Sequence, residues 1–325
     1  MANILYRQIP GRSNRWGDCE FFVNDDTDAC DWWFICHITA IKEELTAICD
    51  PDHVVFISME PVDWGCKPFY KQFSTIVGCD ERILHPNQIR KNIHTWWSGI
   101  NVGFENGHIF YPSVNHDYDS FFKLSLPSKV ERISVVTSTN RRWAGHLSRL
   151  HFIDYLKASS VSSRVDFYGG GSNPILDKFD AIAPYCSHIV LENSQKPDYW
   201  SEKLADAFLG LSFPIYYGCT NLNSYFPSDS FLEIDIEKPG KAIDLILSCL
   251  EPGFYESRLP ALLEARELIL NKYNFFSEIA SLCISKNAQR RRQVRIRPNS
   301  YYQKRDRRNP RALLSRLKNK LLPLI

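Results

Sequence analysis

The 325-residue sequence predicts an α/β fold of two Rossmann-like domains facing a cleft, followed by a basic C-terminal tail. Three observations carry this. Short apolar runs alternate with helical patterns, the arrangement of a parallel sheet with helices on both faces. The alternation restarts after Ser125-Leu-Pro-Ser128, dividing the body into residues 1–125 and 126–285. The charge then changes sign. Residues 286–325 hold 14 of the 39 Lys and Arg and one of the 37 acidic residues, Asp306, so the tail is +13 and the remainder −11.

In the first half, Ile38, Ile41, Leu45 and Ile48 recur at helical spacing, and His53 to Ser58 is an apolar run suited to a buried strand. Asn106-Gly107 between Ile100–Phe104 and His108–Tyr111 signals a hairpin. In the second half, strands are expected at Arg132–Thr137, Arg164–Tyr168, Ser187–Leu191, Phe213–Tyr217 and Phe231–Asp235. Helices are expected at His146–Lys157, with Leu147, Leu150, Ile153 and Tyr155-Leu156 along one side, at Ser201–Leu211, and at Lys241–Leu250. Ligands of such sheets lie at the carboxyl ends of the strands.

The ten cysteines form no CxxC pair and no metal-finger spacing, and several have apolar neighbours, so they read as buried thiols of a reducing compartment. The N-terminus lacks the pattern of a signal peptide, and no stretch approaches the ~20 apolar residues of a membrane span. A cytoplasmic chain is expected. The acidic turn Asn24-Asp-Asp-Thr-Asp28 resembles a metal cluster only superficially, since acidic turns are common, and no metal site is assigned. Gly169-Gly-Gly171 does not have dinucleotide-fingerprint spacing and reads as a close backbone approach or a flexible turn.

The densest polar constellation runs from Glu192 to Lys203, between a buried strand and an amphipathic helix. Ser201 can cap that helix. The exposed N–H groups of its first turn, with Lys203, suit a phosphate. Glu202 could accept hydrogen bonds from sugar hydroxyls. Residue chemistry alone also allows an ordinary helix start with surface charges.

In order, Glu192-Asn193, Tyr199, Ser201-Glu-Lys203, Pro214 to Gly218 and Tyr225-Phe-Pro-Ser-Asp-Ser-Phe231 resemble the donor-binding signature of glycosyltransferase family 10, the α-1,3/4-fucosyltransferases. Arg149-Leu-His-Phe-Ile-Asp-Tyr-Leu156 resembles the family's helix with a diphosphate-binding Arg, and Val165-Asp-Phe-Tyr-Gly169 a strand end of the same domain. Phe56-Ile-Ser-Met-Glu-Pro61 resembles the segment holding its catalytic carboxylate, and Phe73 to Pro86 matches more loosely. The resemblance implies a GT-B fold and inverting transfer of fucose from GDP-fucose to a glycan hydroxyl. Glu60 would be the base, and Arg149 and Lys203 the cations on the diphosphate. Asn193 and Tyr199 would orient phosphate or ribose, Glu202 would meet hydroxyls, and Glu192 would organise the others. No metal cofactor is then required. A GT-B transferase using another nucleotide sugar, or a non-catalytic glycan- or nucleotide-binding relative, remains open.

In the tail, Leu313, Leu314, Leu317, Leu321 and Leu324 share a helical face, with Arg311, Lys318 and Lys320 largely off it. Such a segment suits the anionic inner face of a membrane. Packing on the body or on a second subunit is the rival reading. Nucleic acid is disfavoured by the acidic body.

Overall fold

The computed structural model describes residues 2–25, 27, 29–105, 108–142, 144–170, 173–283 and 290–307. The fold is α/β with two separate parallel sheets, and the chain divides into two compact units.

The larger unit holds residues 1–25 and 93–284. Its sheet has five parallel strands in the spatial order Val165–Gly169, Val130–Thr137, Tyr185–Leu191, Phe213–Tyr217, Leu232–Glu233. All seven residues of Tyr185–Leu191 are buried, as a central parallel strand requires. Strand order reverses between Val130–Thr137 and Tyr185–Leu191, and in open α/β sheets a crevice opens at such a reversal. The helices Ala144–Ala158, Glu202–Leu209, Pro239–Ser248 and Phe254–Leu270 pack around this sheet. The buried face of Ala144–Ala158 is His146, Arg149, Phe152, Ile153 and Leu156. The expected face was wrong in part: Leu147 and Tyr155 are exposed, and an arginine takes a place in the inward stripe. The last strand is also shorter than expected, only Leu232–Glu233.

The smaller unit holds residues 26–92 and 285–325. Its sheet has four parallel strands in the order Trp33–Cys36, Val54–Ile57, Thr75–Val77, Gln88–Ile89. All four residues of Val54–Ile57 are buried, and Phe56, Phe69 and Phe73 form its core.

The helix expected across residues 38–48 does not form. A single 3₁₀ turn at Ile38–Ala40 is followed by the strand Leu45–Cys49. That strand pairs antiparallel with Arg292–Ile296, nearly 250 residues away. The remote partner satisfies its backbone and turns Ala47 and Cys49 inward, while Ile48 stays 43 % exposed. Tertiary pairing thus overrides a local apolar spacing that fits a helix.

The same pairing revises the tail. Residues 290–307 are built into the smaller unit. Ile296 is fully buried, Tyr302 packs on its core, Arg291 pairs with Asp31, and Arg297 Nε donates to Glu44 at 2.9 Å. The leucine-rich segment 310–325 lies outside the described residues. No described helix is long and apolar enough to cross a membrane.

The units divide elsewhere than at 125 and 285. Residues 1–25 and 93–125 join the larger unit through buried polar anchors. The Arg7 guanidinium, 1 % exposed, donates to the carbonyls of Trp96, Ser98 and His116 and lies over the Trp96 ring. Asp206, also buried, accepts from the amides of Trp97 and Ser98 at 2.9 and 2.7 Å. The hairpin strands Gly103–Glu105 and His108–Phe110 form as expected, while their turn residues 106 and 107 are outside the described set. Asp26 and Asp28 of the acidic turn are likewise outside it. All ten cysteines are described, and none is in a disulfide.

Candidate functional site

The switch point of the five-stranded sheet is bounded by Thr137 to Asn140 after one strand and Glu192-Asn193 after the other. Two glycines permit the close approaches that shape it. A Cβ at Gly145 would collide with the Asn193 carbonyl oxygen, so the helix from Ala144 starts against that backbone. A Cβ at Gly218 would collide with the Glu192 side chain and the Tyr216 hydroxyl. Gly169, at φ +94°, similarly lies against the Thr137 carbonyl.

Glu192 is fully buried at the end of its strand. Its Oε1 accepts from the Ser201 amide at 2.8 Å, and the Ser201 hydroxyl lies 2.7 Å from both carboxylate oxygens. Lys203 Nζ reaches Glu192 Oε2 at 3.4 Å, Ser201 Oγ at 3.1 Å and Glu202 Oε1 at 3.0 Å. Ser201 also caps the helix, accepting from the Lys203 amide. Burial pushes the Glu192 carboxyl upward, against Lys203 and the Ser201 bonds. Burial likewise opposes charge on Lys203, but Glu192 and Glu202 outweigh it and hold the ammonium protonated well above its ordinary range. For Glu202 burial is again the largest single effect, yet Lys203, Lys178 and His94 together hold the carboxyl well below the usual range.

Arg149 is 6 % exposed, and its Nη1 donates to the Leu191 carbonyl at 3.3 Å. Its Nε has no hydrogen-bond partner among the described residues, and neither has Asn193 Oδ1. A buried donor and a buried acceptor with capacity to spare are uncommon in a folded core and mark a place where another group can bind. Burial lowers the proton affinity of Arg149, while Glu192, Tyr199 and Glu202 oppose this. Tyr199 is 2 % exposed, with its ring against His94.

The larger unit therefore brings together Arg149, Glu192, Asn193, Tyr199, Glu202 and Lys203. It adds His94 and Lys178, which no sequence pattern singled out. Lys178 opens a five-residue helix and bonds Asp206 at 3.2 Å. Only the fold brings Lys178 and His94 near enough to Glu202 to favour its charged form.

Glu60 belongs to the smaller unit, just past the carboxyl end of Val54–Ile57, and is exposed. Its loop is pinned from below. Asp63 accepts from Ser58 Oγ and the Gly65 amide at 2.8 Å and from Tyr70 OH at 2.5 Å. The Asp63 amide donates to Asp80, a buried carboxylate that also holds Arg82. Among the described residues no group of three or more His, Cys, Asp or Glu could hold a metal ion.

The switch point of this parallel α/β unit thus holds cations and a buried donor and acceptor with capacity to spare, the chemistry needed to hold an anion. Comparison with known proteins gives a family match over part of the chain. Residues 126–249 match glycosyltransferase family 10 (fucosyltransferase), C-terminal part. Over that stretch the chain is similar to the fucosyltransferases of this family. It is 29 % identical over 119 residues to a fucosyltransferase-like protein of Arabidopsis thaliana, covering 34 % of this chain and 22 % of that one. It is 29 % identical over 119 residues to mouse (Mus musculus) 4-galactosyl-N-acetylglucosaminide 3-alpha-L-fucosyltransferase 9, covering 35 % and 32 %. The aligned stretch thus spans between about a fifth and a third of these relatives. Among solved structures, an alpha1,3-fucosyltransferase with GDP is similar at TM-score 0.46 and 17 % identity, covering 84 % of this chain and 87 % of that chain.

Proposed function

We propose that this chain is an inverting glycosyltransferase that moves fucose from GDP-fucose to a glycan hydroxyl, its two parallel-sheet units being the halves of a GT-B enzyme. The observation that carries this reading is the switch-point set of Arg149, Glu192, Ser201 and Lys203, inside the stretch that matches the family. Arg149 and Lys203 hold the diphosphate, and Asn193, Tyr199 and Glu202 orient it and its sugars. Glu192 fixes Ser201 and Lys203 rather than touching the donor. As the acceptor oxygen bonds to the anomeric carbon, Glu60 takes the hydroxyl proton. The bond from that carbon to the β-phosphate oxygen breaks, and GDP leaves with the electron pair. The two cations stabilise the charge that develops there, so no metal cofactor is invoked.

Thermal shift with GDP, GDP-fucose, UDP-sugars and CMP-sugars tests the donor. A ligand at 100 times its Kd stabilises the fold by about 2.7 kcal/mol. GDP and GDP-fucose are expected to shift the wild type and not Arg149→Ala. A shift with UDP- or CMP-sugars alone keeps the transferase class and sinks fucose. Glu60→Gln should keep the shift and lose on the order of 10²-fold or more in fucose transfer to N-acetyllactosamine.

The same proposal gives the chain a cytoplasmic setting, with its leucine-rich basic end on an anionic membrane face. A chain ending at residue 307 keeps the 292–296 strand. If it binds phosphatidylserine vesicles as well as the full chain does, that attachment is wrong.

A further inference from the structure

His37 lies at the carboxyl edge of the four-stranded sheet, one residue past the strand Trp33–Cys36. Its amide donates to the Ile57 carbonyl at 2.9 Å, so it sits beside the end of the neighbouring strand, three residues before Glu60. Its backbone has φ +69° and ψ 137°, a conformation that side chains other than glycine rarely adopt. Strained positions of this kind persist where the surroundings over-determine them, and they cluster at functional sites.

The imidazole is hydrogen-bonded through Nδ1 and faces a carboxylate with Nε2. Nδ1 accepts from the Thr39 amide at 3.2 Å and lies 2.7 Å from the Thr39 hydroxyl. A backbone N–H can only donate, so Nδ1 carries the lone pair and the proton of the neutral ring is on Nε2. Nε2 lies 3.7 Å from Glu60 Oε1.

We infer that His37 is a positioning residue for Glu60: its Nε2–H, 3.7 Å from Oε1, orients the carboxylate electrostatically and leaves Oε2 to receive the acceptor's proton. This rests on the reading of Glu60 as the base. The ring does not change protonation in the step. The proton moves from the acceptor hydroxyl to Oε2 and from there to solvent. The groups facing His37 are Glu60 and, further off, Asp63. The Glu60 interaction raises the imidazole's proton affinity, against burial, and the charges of Glu60 and Asp63 add to it. Asp63 is itself committed to Ser58, Gly65 and Tyr70, which leaves Glu60 as the carboxylate that His37 can steer.

The test uses the full chain and two readouts. In the ¹⁵N spectrum of wild-type protein the His37 ring should show the Nε2–H tautomer, and its Nε2 signal should move in Glu60→Gln. An Nδ1–H tautomer, or a ring signal indifferent to Glu60→Gln, overturns the inference without reference to activity. In fucose transfer from GDP-fucose to N-acetyllactosamine, His37→Gly should lose on the order of 10- to 10²-fold in kcat. The KM for GDP-fucose should be unchanged, and His37→Gln, which keeps a donor N–H, should recover part of the loss. Glycine suits the positive φ, so the melting temperature of His37→Gly should not fall, and the loss cannot be put down to unfolding. Wild-type kcat in His37→Gly, with Glu60→Gln inactive, sinks the role of His37 alone. Full activity in Glu60→Gln sinks the underlying base assignment instead.

Discussion

The two parallel-sheet units hold their candidate functional groups in opposite ways. In the larger unit the charges are buried and tied to one another: Glu192 is fully enclosed, Arg149 is nearly so, and Lys203 bridges two carboxylates. In the smaller unit Glu60 is exposed and meets a single histidine, and the rigidity lies beneath it, in the Asp63–Asp80–Arg82 network. The contrast fits the tasks proposed for the two sets of groups. Groups that stabilise developing charge gain from a fixed, low-dielectric setting. On the proposed reading, a base that returns its proton to water gains from exposure, with its loop pinned from beneath and its carboxylate met by His37 alone among the described ion pairs.

The comparison predicts where substitutions cost stability. The largest effect is expected for Lys203→Met, which leaves Glu192 buried without its cation and should cost about 3–5 kcal/mol in urea unfolding. Adding Glu192→Gln should recover part of that loss. If Lys203→Met is as stable as wild type, the buried pair is not what holds the helix start. Next is Ile296→Ala, fully buried in the strand paired with Leu45–Cys49, at about 2–5 kcal/mol. Hydrogen exchange should show its effect in the amides of residues 45–57 and not in those of 185–191. Ser201→Ala removes a helix cap as well as two contacts to Glu192 and should cost about 1–2 kcal/mol. Smallest is Glu60→Gln, whose melting should stay within about 0.5 kcal/mol of wild type because the group is exposed.

Two histidines sharpen the contrast through pH. Burial pushes His188 in the central strand of the larger unit down to about 3, with Lys178 adding to it. Its folded value lies below the unfolded one, so unfolding takes up a proton between pH 3 and 6.5 and stability falls as pH falls through that window. The slope from one such group is at most about 1.4 kcal/mol per pH unit. His37 is raised instead, so its contribution is fully present below pH 6.5 and is lost as pH rises through its higher folded value. Lowering the pH from 7 to 5 should therefore speed exchange at residues 185–191 relative to 54–57. Equal changes in both would show that neither histidine governs its unit.

Legibility in the sequence was also unequal. The strands Val130–Thr137, Val165–Gly169, Tyr185–Leu191 and Phe213–Tyr217 are apolar, rich in β-branched or aromatic residues, and alternate with helical patterns, so local signals agree with the fold. The cluster from Glu192 to Lys203 is contiguous and readable for the same reason. In the smaller unit the strands have two to five residues, and Leu45–Cys49 depends on a partner that arrives at the far end of the chain. The basic residues at 290–297 looked available for an anionic surface, yet Arg291 and Arg297 are spent on Asp31 and Glu44 within the unit.

The sequence by itself determined the α/β class, the strand ending at Glu192-Asn193 and the Ser201 cap beside Lys203, because each rests on neighbours within a turn or a strand, whereas Arg149 was singled out only through the family resemblance. Only the tertiary structure decided which strands flank the switch point, that Arg149 faces inward, that His94 and Lys178 meet Glu202, and that His37 stands against Glu60. Those facts depend on parallel register between strands, and local sequence carries no record of which distant segment will supply the next hydrogen bond.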